Sequence, residues 1–65
     1  MIHIRLAEVR KSKGLSQDAL AKLSGVHRVT IARIETGKAS TKIDTLQRLS
    51  VALGVSVDEL IGEGA

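Results

Sequence analysis

The sequence predicts an all-α fold of five short helices, the second and third joined as a helix-turn-helix. Three observations point there. Apolar residues recur at intervals of three and four along most of the chain, the spacing of helices that bury one face. Gly14, Gly25, Gly37 and Gly54 stand where those stripes stop, the usual place for a glycine at a helix end. Within the stretch LSQDALAKLSGVHRVTIARIETGK, Ala21 is followed by Gly25 four residues later and by Ile31 six after that. Two helices crossing steeply must approach closely, and the small Ala21 permits it. The turn between them needs a residue that tolerates positive φ, which Gly25 does without a Cβ clash. Ile31 then plugs the angle between the helices.

Helix 1 is expected over residues 2–13, because Ile2, Leu6 and Val9 fall on one stripe. Ile4 falls off that stripe and is left to pack on a neighbouring element. Lysines ahead of Gly14 suit the negative end of the helix dipole. Ser16 is the expected N-cap of helix 2, which runs to about Ser24 with Leu20 and Leu23 towards the core. Asp18 reads as an ordinary acid at a helix start. Helix 3 is expected over residues 28–36, with His27 at the N-cap, a residue type that caps weakly. Helix 4 is expected over residues 42–53, with Ile43, Leu46, Leu49 and Leu53 as its apolar stripe and Thr41-x-x-Asp44 as a capping box. Ser56-x-x-Glu59 is a second capping box, opening a last short helix over residues 57–61. Val55, Leu60 and one of Val57 or Ile61 would close the core, and residues 63–65 would fray.

Sixty-five residues form a single expected domain, 1–65, with no repeat, low-complexity stretch or linker. The absence of cysteine excludes a disulfide, a thiol nucleophile and a cysteine metal site, and agrees with a cytoplasmic setting. No apolar run reaches membrane-spanning length and no signal-peptide pattern opens the chain, so no membrane partner is expected. The formal net charge of +3 is unevenly spread. Residues 1–48 hold all ten Lys and Arg and four acids, giving +6, whereas residues 49–65 hold three acids and no base, giving −3. Such a division suits one face on a polyanion and another face elsewhere. Aromatic residues are absent, which argues against single-stranded nucleic acid, whose bases stack on aromatic rings.

Helix 3 has two faces. Ile31 and Ile34 point one way, while Arg28, Val29, Ala32 and Arg33 point the other. A helix with apolar anchors behind and arginines in front can lie in a DNA major groove. Arg28 and Arg33 match guanine O6 and N7 by a bidentate guanidinium, and Val29 and Ala32 offer apolar surface to thymine methyls. Thr30 and His27 are further candidates for the backbone. The open amides at the start of helix 2 attract a phosphate, to which Gln17 can donate. The loop carrying Lys38, Ser40, Thr41 and Lys42 combines hydroxyls, amides and ammonium groups, a good phosphate clamp.

The chain resembles the Cro/phage-repressor-type helix-turn-helix family, also called the xenobiotic-response-element family. The resemblance rests on LAEVRKSKGLSQDALAKLSGV, TIARIETGK and IDTLQRLSVALGVSVDEL, which cover almost all of the sequence. It implies a compact five-helix, lambda-repressor-like domain. It implies a partly buried structural ion pair between Arg10 and Glu35, and a Gln17 that both meets phosphate and braces helix 3. It also implies a homodimer formed around the last short helix, where Val57 and Ile61 are the expected interface residues. His27 departs from the Ser or Thr usual at its position, Thr41 from a frequent Pro and Lys42 from Ser.

No catalytic constellation accompanies these features. His3 and His27 have no carboxylate at metal-ligand spacing, and Asp58–Glu59 sit at a helix start where acids are expected. Neither an enzyme, a metal, a cofactor nor a small-molecule ligand is expected. The function read from the sequence is a sequence-specific duplex-DNA-binding transcriptional regulator, a repressor, acting as a homodimer on a pseudo-palindrome. The alternative is an antitoxin or other protein-interaction module that also binds its own operator, which a neighbouring toxin-like gene would favour.

Overall fold

The computed structural model describes residues 2–37 and 41–63. Its order is β1 (Ile2–Ile4), α1 (Leu6–Ser12), α2 (Gln17–Ser24), α3 (Arg28–Glu35), α4 (Ile43–Leu53), α5 (Val57–Leu60) and β2 (Ile61–Glu63). Five helices carry the fold as the sequence predicts. α2 packs between α3 and α4, α5 folds back on α4, and α1 lies against α3.

The amino terminus departs from expectation. Ile2 was read as the first turn of helix 1, but residues 2–4 are extended and pair antiparallel with residues 61–63, Ile4 opposite Ile61. The Arg5 amide continues the ribbon by donating to the Leu60 carbonyl at 2.7 Å. Ile4 packs against the core, as its place off the helical stripe suggested. Glu63, expected to fray, has its backbone in β2, and residues 64–65 lie outside the described set.

The core is a single cluster in which Leu6, Leu20, Ile31, Leu49 and Leu60 are fully buried, one from each helix. Val26, in the turn between α2 and α3, is buried with them and ties the turn to the core. Gly25 holds φ at 73°, so it ends α2 in the left-handed conformation that a side chain would resist. Ser16 caps α2 by accepting from the Ala19 amide at 3.0 Å, and Ser56 caps α5 by accepting from the Glu59 amide at 3.3 Å.

Two expected core residues lie outside it: Leu23 is 61% and Ile43 60% exposed. Both satisfy the helical spacing, but each lies beside the stripe that faces the neighbours, where Leu20 and Leu46 fill the space. The capping box at Thr41 is not formed. Lys42 is the N-cap residue of α4 and gives no side-chain cap, so the helix starts one residue later than expected.

Candidate nucleic-acid interface

α3 is a two-faced helix set by its sequence. Ile31 and Ile34 are buried against the other helices, while Arg28, Val29 and Arg33 are exposed. Thr30 and Ala32 are half-buried at the margins. Its start is better held than the sequence suggests. The Val29 amide donates to His27 Nδ1 at 3.2 Å, so histidine does cap this helix. Nδ1 lies one bond beyond Cγ, where an asparagine would place its cap oxygen. With Nδ1 as the acceptor, the other ring nitrogen, Nε2, is the one that can serve as a donor.

The angle of α3 is fixed by a buried polar network. Arg10 Nε donates to Glu35 Oε2 at 2.7 Å and Nη2 to Oε1 at 3.1 Å, a two-pronged contact between α1 and the end of α3. Arg10 Nη1 donates to the Leu15 carbonyl at 2.7 Å, and Gln17 Nε2 to Glu35 Oε1 at 3.0 Å. The Arg10 and Glu35 side chains are only 11% and 7% exposed, so this pair is shielded from water. Burial alone would push the Glu35 carboxyl up. The hydrogen bonds from Arg10 and Gln17, with the charges of Arg10 and Lys11, outweigh it and hold the carboxyl below its usual range. The hydrogen bond to Glu35 raises the Arg10 guanidinium in turn, against its own desolvation. Four segments therefore meet at the Arg10–Glu35 pair: α1 and the start of α2 at the carboxylate on the end of α3, and the loop after α1, through the Leu15 carbonyl, at the guanidinium.

Gln17 reaches Glu35 with one N–H, and a side-chain amide has a second N–H to offer elsewhere. Thr41 is half-buried, and its hydroxyl has no hydrogen-bond partner among the described residues. Lys42 is exposed at the start of α4. Lys38 and Ser40 lie outside the described residues. Arg28 carries a contact that the sequence reading missed: its Nε lies 3.2 Å from Oδ1 of Asp18, which had looked like a plain helix-start acid. The two are ten residues apart and on different helices, and only the geometry of the turn brings them together.

Val57 and Ile61 are half-buried and packed on the core, Ile61 as part of β2. One of the two was expected to close the core, and both pack against it. Among the described residues no group of three or more His, Cys, Asp or Glu could hold a metal ion. Among the described residues no helix is long and apolar enough to cross a membrane.

A family model described as helix-turn-helix matches residues 6–60. The chain is 44% identical over 59 residues to the HTH-type transcriptional regulator PuuR of Escherichia coli, covering 91% of this chain and 32% of that protein. It is 32% identical over 59 residues to the immunity repressor protein of Bacillus phage phi105, covering 91% of this chain and 41% of that one. The chain thus spans about a third of the length of PuuR. Among solved structures it superposes on the restriction-modification controller protein C.AhdI from Aeromonas hydrophila with a TM-score of 0.83 and 39% identity, over 86% of this chain and 85% of that one. These three relatives are a regulator, a repressor and a controller protein.

Proposed function

Since the chain belongs to the helix-turn-helix family of DNA-binding transcriptional regulators, we propose that it is a repressor that binds a pseudo-palindromic operator as a homodimer, with α3 in the major groove. Residues 1–65 act in this reading as one DNA-binding unit. The observation that carries it is α3 itself, with Ile31 and Ile34 buried behind and Arg28, Val29 and Arg33 exposed in front. Arg28 and Arg33 read guanines by two-pronged contacts, and Val29 and Ala32 meet thymine methyls. His27, through Nε2, joins Thr30, Thr41 and Lys42 on the backbone, with Lys38 and Ser40 the further candidates from the sequence. Gln17 spends one N–H on Glu35 and offers the other to a phosphate.

One α3 covers only a half-site. Two copies related by a twofold axis would read half-sites ~34 Å apart, one turn of duplex. Val57 and Ile61 form the dimer surface in this reading, on the segment that carries acids and no base. An interface this small makes a weak dimer in solution that DNA strengthens. The test is affinity for the full palindrome against a single half-site. The wild type should bind the palindrome far more tightly. Val57→Glu, with its helical circular dichroism checked because Val57 also packs on the core, should erase the difference. Equal affinity of the wild type for both duplexes would rule out the dimer.

A further inference from the structure

We propose that Asp18 is a positioning residue for base reading: its carboxylate holds Arg28 by Nε and leaves the outer edge of the guanidinium facing a guanine. The inference rests on the assignment of α3 to the major groove. Asp18 stands in the first turn of α2 and Arg28 in the first turn of α3, and Oδ1 lies 3.2 Å from Nε. A guanidinium has two forked edges. One is formed by Nε with a neighbouring Nη, the other by the two Nη groups. An acid at ion-pair distance from Nε lies beside the first edge. The second edge remains, with two parallel N–H donors that can span O6 and N7 of guanine.

The pair is of little use as a brace. Its side chains are 54% and 74% exposed, and ion pairs this open add little to stability. The helix dipole accounts for an acid at the start of α2, but not for its contact with a side chain on the next helix. On a face directed at phosphates, a carboxylate also repels the ligand, so its presence beside a base-reading arginine calls for a local reason. A free arginine loses rotamer freedom when it docks on a base, and an arginine already held at Nε loses less. The contact also strengthens as the groove excludes water.

The experiment uses the duplex that the wild-type protein enriches from a random library, and copies of it with single base pairs replaced. The measured quantity is the ratio of dissociation constants, replaced over enriched, at each position. Arg28→Ala should bring that ratio close to one at a single base pair, which identifies the pair Arg28 reads. Asp18→Ala should lower the ratio at the same pair by about two- to fivefold, the range of an exposed ion pair. Asp18→Glu should retain it. In the Arg28→Ala background, Asp18→Ala should leave every ratio unchanged. A loss of stability alone would move both duplexes together and spare the ratios.

Three results overturn the proposal. Equal tightening of all duplexes by Asp18→Ala would make Asp18 a simple repulsive charge. A raised ratio would show that it withholds Arg28 from DNA. A change at a base pair that Arg28 does not affect would make it a direct reader. If Arg28→Ala alters no base preference, the assignment of α3 fails first, and that is visible without any Asp18 variant.

Discussion

Glu35→Ala is expected to lower the unfolding free energy by roughly 3 kcal/mol or more, the range for breaking a buried pair by removing one partner. Arg10, whose side chain is 11% exposed in the wild type, would keep its bond to the Leu15 carbonyl but lose both bonds to the carboxylate. Gln17 would lose its acceptor on α3. A domain of this length is stabilised by about 3–10 kcal/mol in all, so the loss threatens the fold itself. Chemical denaturation of the variant at neutral pH measures it, and an unchanged midpoint would contradict the account. Acid should act through the same group. Glu35 ionises more readily folded than unfolded, so its contribution is complete above the unfolded pKa of about 4.3 and is lost as pH falls through the lower folded value. Glu35→Gln should therefore flatten the fall of stability below about pH 4. Arg10→Met with Glu35→Leu tests what the pair is for. Apolar partners of similar volume should recover much of the stability, because the buried charges no longer need solvation. Operator binding should stay weakened, because the angle of α3 and the brace on Gln17 are gone.

Arg33→Ala is expected to cost ~1–3 kcal/mol on the preferred operator and to relax preference at one base pair, with Arg28→Ala doing the same at another. That is about five- to 150-fold in dissociation constant. Arg33 is exposed on the face of α3 opposite Ile31 and Ile34, so its loss should leave stability nearly untouched. Lys38→Ala supplies the contrast. A lysine on phosphate carries no sequence information, so all duplexes should weaken about equally and the salt slope should fall by about one. Full selectivity in both arginine variants would mean that α3 does not read the bases.

Much of this arrangement was legible because local chemistry and long-range packing agree. Ser16 and Ser56 cap the helices that their side chains announce, and Gly25 adopts the left-handed turn that Ala21 and Ile31 require around it. The ends of the chain were not legible. Ile2, Leu6 and Val9 mimic a helical stripe, while the Ile2-x-Ile4 alternation is too short to announce a strand. Its partner, Ile61, lies at the other end of the sequence. Leu23 and Ile43 show the limit of periodicity, which locates a stripe but not its width. His27 shows that a side chain ranked low as a cap still serves when a ring nitrogen lands where the amide points. Asp18 could not be found from spacing, since its meeting with Arg28 depends on how the turn sets one helix against the other.

Whether α3 reads sequence in the major groove is decided by selecting bound duplexes from a random library with the unmodified protein. One enriched pseudo-palindrome is expected, with half-sites ~34 Å apart and guanines at positions that Arg28→Ala and Arg33→Ala each relax. Recovery of duplexes with no common sequence would contradict it.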